Sequence, residues 1–280
     1  MTILSDLVLK FWGVRGSIAS NNSQFGSHTS CVEVQLNDEH SLFFDAGTGI
    51  RAGTFNRKLR KITLFLSHFH WDHVQGLPFI SQLGNQQTDA PFELEILSGF
   101  PDLSERLEHL FDSRFHPVPL SHYRNRIKTR VLTVGEIFEL DKSLRLECAP
   151  LNHPGDSYAC LLSGAQVKVL YATDSDYDPV PPAAEKLFKQ SDWAIVDSQF
   201  LLGDAVKRFD YGHSSYQHAI DTCARLSVKD CFLFHFDPNY NDAELEKIEQ
   251  QARIYVENQY GNRGPKVWMS REGLEKRIQR

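Results

Sequence analysis

Short apolar or alternating runs recur along the whole chain, and their lengths are those of β-strands. They fall at residues 7–11, 31–36, 41–44, 62–66 and 92–97, then at 130–134, 144–148, 158–162, 167–171, 193–196 and 231–234. Each is four to eight residues long and is bounded by Gly, Pro, Asn or Asp, the residues that favour turns over strands. Helical periodicity is rarer. Residues 102–111 put Leu103, Leu107, Leu110 and Phe111 on one face. A second helix is expected at 182–189, opened by prolines that a first helical turn tolerates. Two more are expected at 214–226 and 242–256, the last preceded by Asn239 and Asn241 as caps.

The order is a block of strands followed by strands interleaved with helices, with no linker between them. Two packed sheets covered on the outside by helices would bury these faces, an α+β arrangement in a single domain spanning 1–280. Residues 101–128 are the least regular. Arg106, Arg114, Arg124, Arg126 and Lys128 stand there among prolines and histidines, which reads as an inserted loop-and-helix region.

Composition changes this picture little. With 41% hydrophobic and 24% charged residues the chain is an ordinary globular sequence. The net charge of −6 supplies no overall basic field for nucleic acid or an anionic membrane. No apolar run approaches membrane-spanning length. The first residues lack the charged and apolar regions of a secretory signal. The five cysteines lie beside apolar residues without Cys-x-x-Cys spacing, as small core side chains in a reducing compartment do. A cytoplasmic location follows.

The chemistry is concentrated directly behind the 62–66 run. Ser67-His68-Phe69-His70-Trp71-Asp72-His73 crowds three imidazoles and a carboxylate into six positions. Such donors suit Zn, Mn or Fe(II). Four ligands so close in sequence cannot all saturate one tetrahedral ion, so they read as two half-sites awaiting partners. His153, Asp174 and His235 each follow an apolar run, as His68 does. One sheet edge would then gather all seven side chains. His40, His109, His116, His122 and His218 lack this context and are expected on the surface or on helix faces.

Taken together, these residues resemble the metallo-β-lactamase superfamily of binuclear metallohydrolases. Phe11-Trp12-Gly13-Val14-Arg15-Gly16-Ser17, Thr29-Ser30-Cys31, Phe44-Asp45-Ala46-Gly47-Thr48-Gly49, Gly76-Leu77-Pro78-Phe79 and Gly212-His213-Ser214-Ser215 extend the likeness over most of the chain. They resemble a branch akin to cyclic-nucleotide phosphodiesterases, the phosphonate-pathway cyclic phosphodiesterase and ribonuclease Z. The resemblance implies a four-layer αβ/βα sandwich of two mixed β-sheets flanked by helices. It implies that His68, His70 and His153 bind one metal, that Asp72, His73 and His235 bind the other, and that Asp174 bridges them. Zn is the first expectation, with Mn or Fe as alternatives. One departure stands out: where the branch usually has Gly-Gly-Asn-Thr-Ser-Cys, this chain has Gly26-Ser27-His28-Thr29-Ser30-Cys31, so His28 bears on loop shape or substrate choice. Members of the branch often pair, which makes a second copy of the chain a candidate partner.

Charge selects among substrates. Two divalent ions, less the charges of Asp72, Asp174 and a bridging hydroxide, leave about +1, which suits an anionic phosphodiester. Hydrolysis of a small nucleotide or cyclic phosphodiester by a metal-bridging hydroxide is therefore expected. A ribonuclease Z-like RNA endonuclease, or a hydrolase of lactam, thioester or lactone bonds, is the alternative. A metal-binding module without turnover is disfavoured by the complete donor set.

His213, beside a helix N-terminus, should be neutral until it meets an anion. In the phosphodiesterase branches such a histidine binds phosphate and donates a proton to the leaving oxygen; local packing is the plain alternative. Asp72 is expected to orient the hydroxide and carry its proton. Asp45 is expected either to orient a metal-bound imidazole or to form a turn, and Asp197 either to orient one or to add a ligand. Arg15 would reach a substrate phosphate or form a structural bridge.

Overall fold

The computed structural model describes residues 6–84, 92–123, 125–164 and 166–279. The first sheet comprises β1 (Leu7–Gly13), β2 (Cys31–Gln35), β3 (His40–Phe44), β4 (Lys61–Phe65), β5 (Glu93–Ser98) and β6 (Ile127–Val131). The second comprises β7 (Phe138–Glu139), β8 (Arg145–Leu151), β9 (Ser157–Ser163), β10 (Lys168–Ala172), β11 (Trp193–Asp197), β12 (Asp230–Phe234) and β13 (Lys266–Met269). A last strand, β14 (Glu275–Ile278), returns to the first sheet. The two spatial orders are β14-β1-β2-β3-β4-β5-β6 and β13-β12-β11-β10-β9-β8-β7.

Both sheets are mixed, as expected. β14, β1, β2 and β3 pair antiparallel, whereas β3 to β6 run parallel. In the second sheet β7 to β10 are antiparallel and β10 to β13 parallel. The apolar pattern follows this division. β1 alternates buried and half-buried residues, while Ile62–Phe65 of β4 and Ala194–Asp197 of β11 are buried without interruption. Parallel strands covered on both faces need such unbroken runs.

One core lies between the sheets, where Phe11 stacks on Phe232 and Phe44 on Tyr171. Outside the first sheet, α1 (Gly49–Thr54), α2 (Trp71–Val74), α3 (Ser81–Gly84) and α4 (Leu103–Leu110) cover a second core with Ile50, Val74, Leu83, Leu103 and Leu107. Outside the second sheet, α5 (Pro182–Gln190) packs on β8 and β10, α7 (Tyr216–Arg225) on β11 and β12, and α8 (Asp242–Tyr260) on β13. The short α6 (Leu202–Lys207) lies between β11 and α7 along the chain. Asn241 caps α8 through a complete capping box with Glu244, as its position suggested.

Three departures from the sequence reading have physical causes. The strand expected at 130–134 runs instead from Ile127 to Val131, because it is an edge strand with four exposed residues and carries little apolar signal. β14 was not anticipated: of its residues only Ile278 is buried, and pairing with β1 rather than hydrophobicity defines it. Residues 101–128 carry the crossover from β5 to β6, with α4 and a 3-10 turn at Leu120–Tyr123. Arg124 in that stretch and the N-terminal residues 1–5 lie outside the described residues. No described helix is long and apolar enough to cross a membrane, and all five cysteines are buried and free.

The arrangement brings the carboxyl ends of central strands to one rim. Asp45 follows β3, His68 follows β4, His153 follows β8, Asp174 follows β10, Asp197 closes β11 and His235 follows β12. Clefts at this end of the strands are where α/β sheets place their ligands.

Candidate metal centre

Seven donors expected from the sequence converge there. The ligand atoms of His68, His70 and His153 lie within 4.8 Å of one another, as do those of Asp72, His73 and His235. Asp174 stands between the two groups. Its Oδ1 is 3.6 Å from His68 Nε2 and 3.8 Å from His153 Nε2, while its Oδ2 is 3.2 Å from His73 Nε2 and 3.5 Å from His235 Nε2. Asp72 Oδ2 lies 3.3 Å from His73 Nε2 and 3.1 Å from His235 Nε2. A further set, Asp174, Asp197, His213 and His235, satisfies the same distance criterion.

Backbone conformation aims these side chains. Asp45, Asp174 and His235 have φ of 59°, 56° and 66°. A left-handed residue immediately after a strand turns its side chain out of the sheet and into the rim, at a cost of about 1–3 kcal/mol for a non-glycine residue. Glycine supplies close approach where no side chain fits. A Cβ at Gly16 would stand 2.5 Å from His235 Cε1, and one at Gly212 (φ 71°) would stand 2.9 Å from His153 Nδ1.

Three of the five imidazoles, those of His68, His73 and His153, have a hydrogen-bond partner on the side away from the cluster. Asp45 is wholly buried below the cluster. It accepts from Ser67 N–H (2.7 Å) through Oδ1, and from the Ser67 hydroxyl (2.7 Å), the Tyr171 hydroxyl (2.8 Å) and His73 Nδ1 (2.6 Å) through Oδ2. Ser67 Oγ is also 3.0 Å from His68 Nδ1, so one carboxylate directs an imidazole in each group. His153 Nδ1 donates to the carbonyl of Gly212 at 3.0 Å. With these nitrogens carrying the protons, the nitrogens facing inward carry lone pairs.

Those inward-facing nitrogens crowd one another, as ligands to a shared cation do. His73 Nε2 is 3.1 Å from His235 Nε2, and His70 Nδ1 is 3.1 Å from His153 Nε2. His68 Nε2 and His235 Nδ1 are buried without a hydrogen-bond partner. Burial, then repulsion from His73, His153 and His70, holds His68 well below the usual imidazole range. Burial likewise lowers His70 and His153. His73 goes the other way: burial opposes its charge, yet Asp174, Asp72 and Asp45 raise it well above the usual range. Asp72 and Asp174 are held well below the carboxylate range by surrounding imidazoles, which overcome burial. Imidazoles disfavoured as cations at His68, His70 and His153, beside carboxylates kept ionised at Asp72 and Asp174, form a donor set that fits divalent ions.

Not every expected residue joins the cluster. Arg15 is buried, and its guanidinium donates to the carbonyls of Gly26 (2.9 Å), Asp237 (3.2 Å) and Tyr240 (2.9 Å) and to Ser23 Oγ (2.8 Å). It ties the 15–26 loop to the chain before α8, the structural alternative, because those carbonyls use its donors. His28 bonds with Thr48 Oγ1 at 3.2 Å and Glu272, away from the cleft. Asp197 serves His213, with Oδ2 2.7 Å from Nδ1, and accepts from the backbone N–H of Gln199 and Ser214 through Oδ1. His213 thus already has an anion, Asp197, at its Nδ1. Burial opposes its charge, but Asp197, then Asp174 and Asp72, raise its pKa.

Ser67, Tyr171, Ser17 and Gln199 were missed. A tyrosine inside an apolar run and a serine before a histidine carry no separate signal. Ser17, Phe69, His70, Trp71, Asp72, Asp174 and His213 line a cleft of about 360 Å³ over the cluster.

The two-sheet sandwich with this rim of donors is the metallo-β-lactamase fold, and a family profile described as the beta-lactamase superfamily domain matches residues 40–236. The chain belongs to that superfamily and is a metal-dependent hydrolase; divalent metal ions are implied by the family. Among relatives, ribonuclease Z of Synechococcus sp. (strain CC9311) is 27% identical over 274 residues, covering 77% of this chain and 84% of that protein. Among solved structures, the metallo-beta-lactamase fold protein YhfI of Bacillus subtilis superposes with a TM-score of 0.72 at 17% identity, covering 97% of this chain and 99% of that one. A diphosphatase from the PhnP family superposes with a TM-score of 0.70 at 15% identity, covering 98% of each chain.

Proposed function

We propose that this protein hydrolyses the phosphodiester bond of a small nucleotide or cyclic phosphodiester. The observation that carries this reading is the hydrogen-bonded Asp197–His213 pair beside the donor cluster, an oriented imidazole in a cleft that also holds Asp72.

His68, His70 and His153 would hold one divalent ion and Asp72, His73 and His235 a second, with Asp174 shared between them. Zn fits best, and Mn or Fe fits the same donors. Ions held there supply Lewis acidity to phosphoryl oxygens and lower the pKa of water toward about 7. The chain's own groups do the rest. Asp72 Oδ2, fixed by Ser17 N–H at 2.7 Å, orients the attacking water and accepts its proton. His213 has Nδ1 engaged by Asp197, so Nε2 is the atom that binds a phosphate oxygen and then protonates the leaving oxygen. Asp45 keeps His68 and His73 in register throughout.

The cleft favours a small substrate. Trp71, 60% exposed, and Phe69 form an aromatic wall beside it, suited to a nucleobase. The ribonuclease Z relatives support a second reading, cleavage of RNA. RNA would need free cations to follow its backbone. In the region with most of them, Arg106 pairs with Asp102, Arg114 with Asp112, Lys128 with Glu93 and Arg130 with Glu136, and Arg126 donates to the carbonyl of Gln82.

The test is turnover of cyclic nucleotides, dinucleotides and short RNAs by metal-free protein reloaded separately with Zn, Mn or Fe, beside a chromogenic lactam and a thioester. Preferential turnover of small phosphodiesters is expected. Selective RNA cleavage that falls steeply with salt would transfer the assignment to the second reading, and comparable turnover of every ester would remove the phosphate selectivity altogether.

A further inference from the structure

We propose that Ser17 is a substrate-contacting residue whose hydroxyl donates a hydrogen bond to a phosphoryl oxygen in the cleft, an inference that rests on the phosphodiesterase reading above.

Ser17 lies in the loop after β1, is exposed, and lines the cleft with Asp72, Asp174 and His213. Its φ is 62°, a left-handed conformation that favours glycine, although it follows directly on Gly16. Strain held at a cleft residue needs a surrounding structure that enforces it. Two contacts do so. The Ser17 N–H donates to Asp72 Oδ2 at 2.7 Å, and Gln199 Nε2 donates to Ser17 Oγ at 3.1 Å.

These contacts divide the residue into two functions. The backbone N–H positions the Asp72 carboxylate, and any residue able to hold this conformation would supply it. The hydroxyl is different. With Gln199 donating to its oxygen, its own hydrogen is left to donate, and among the described residues no acceptor takes it. Gln199 is buried, its Nε2 fixing Ser17 and its Oε1 left without a partner. A buried amide thus holds an exposed hydroxyl with its proton free in a cleft that His213 also lines. An anionic phosphoryl oxygen in the cleft is the acceptor this geometry fits, with Ser17 and His213 approaching it as donors from protein elements far apart in sequence.

The experiment compares metal-loaded wild type with Ser17→Ala, Ser17→Gly, Gln199→Leu and the Ser17→Ala/Gln199→Leu double variant. It measures binding of inorganic phosphate by calorimetry, KM and kcat on bis(p-nitrophenyl) phosphate, and bound metal. Both Ser17 variants should weaken phosphate and raise KM roughly ten- to a hundred-fold, the range of a hydrogen bond to a charged group, while kcat changes less and metal content stays at the wild-type level. Gln199→Leu should raise KM by less, and should add nothing to Ser17→Ala. Wild-type phosphate affinity in Ser17→Ala would overturn the proposal. So would wild-type affinity in Ser17→Gly alone, since backbone shape would then be the whole effect, or a loss of metal that accounts for the weakened binding. Absence of phosphate binding by the wild type would overturn it too. Ser17-dependent phosphate binding without turnover of any diester would refute the phosphodiesterase reading and leave this site standing.

Discussion

Asp45 Oδ2 and His73 Nδ1 meet at 2.6 Å in full burial, and the same carboxylate reaches His68 through Ser67. Replacing Asp45 with Asn would remove the charge that favours a cation on the far side of both rings. It would also set an amide N–H against either His73 Nδ1 or the Ser67 donors. Metal affinity in Asp45→Asn should fall about 10- to 100-fold, the range for lost partners of metal-bound histidines. Competition with a chromophoric chelator measures it, and unchanged affinity would mean that the contact directs nothing.

Gly212 is a sharper steric test. A Cβ there would stand 2.4 Å from Pro154 Cδ and 2.9 Å from His153 Nδ1, and φ is 71°. Gly212→Ala should therefore move His153 away from His68 and His70. At least a tenfold loss of kcat/KM is expected, of order 1.4 kcal/mol, with reduced occupancy of that triad by metal analysis. A variant with full activity and full metal content would show that the loop yields without cost.

Trp71 bears on substrate class. Trp71→Ala should raise KM for nucleoside-containing diesters by about 1–3 kcal/mol in binding, the value of one base stacked on an aromatic ring. KM for a base-free ribose cyclic phosphate should not move. Equal effects on both substrates would exclude stacking as the role of the ring.

His40 predicts an acid response separate from the cleft. Burial, then Lys61, lowers its pKa to about 4, and its Nε2 lies 3.0 Å from Thr63 Oγ1. In the unfolded chain it titrates near the ordinary 6.5. As pH falls below 6.5 the unfolded chain takes up the proton first, so stability is lost progressively until about pH 4. His40→Gln lacks this penalty. The wild-type Tm minus that of His40→Gln should therefore decrease between pH 6.5 and 4, and a constant difference in thermal melts would refute the assignment.

Much of the donor set was legible because metal chemistry restricts residue types. His68, His70, Asp72, His73, His153, Asp174 and His235 combine a metal-avid side chain with a place behind an apolar run, and both properties are written locally. Unbroken runs such as Ile62–Phe65 exposed the parallel strands for the same reason. What stayed hidden depends on distant contacts. Tyr171 reads as one more core aromatic until its hydroxyl is seen 2.8 Å from Asp45. Arg15 leaves a phosphate contact and a structural bridge both open until backbone carbonyls are found around it. His213 carries no sign in its own neighbourhood that Asp197, 16 residues away, holds its Nδ1 at 2.7 Å. β14 carries little hydrophobic signal because its partner β1 supplies the reason for it.

The left-handed backbone at Asp174 and His235 has a further implication. Glycine would relax the backbone of both turns, so strain is held at these positions by the side chains that occupy them. Variants selected for thermal robustness alone should drift toward losing them, trading turnover for a sturdier but inert shell.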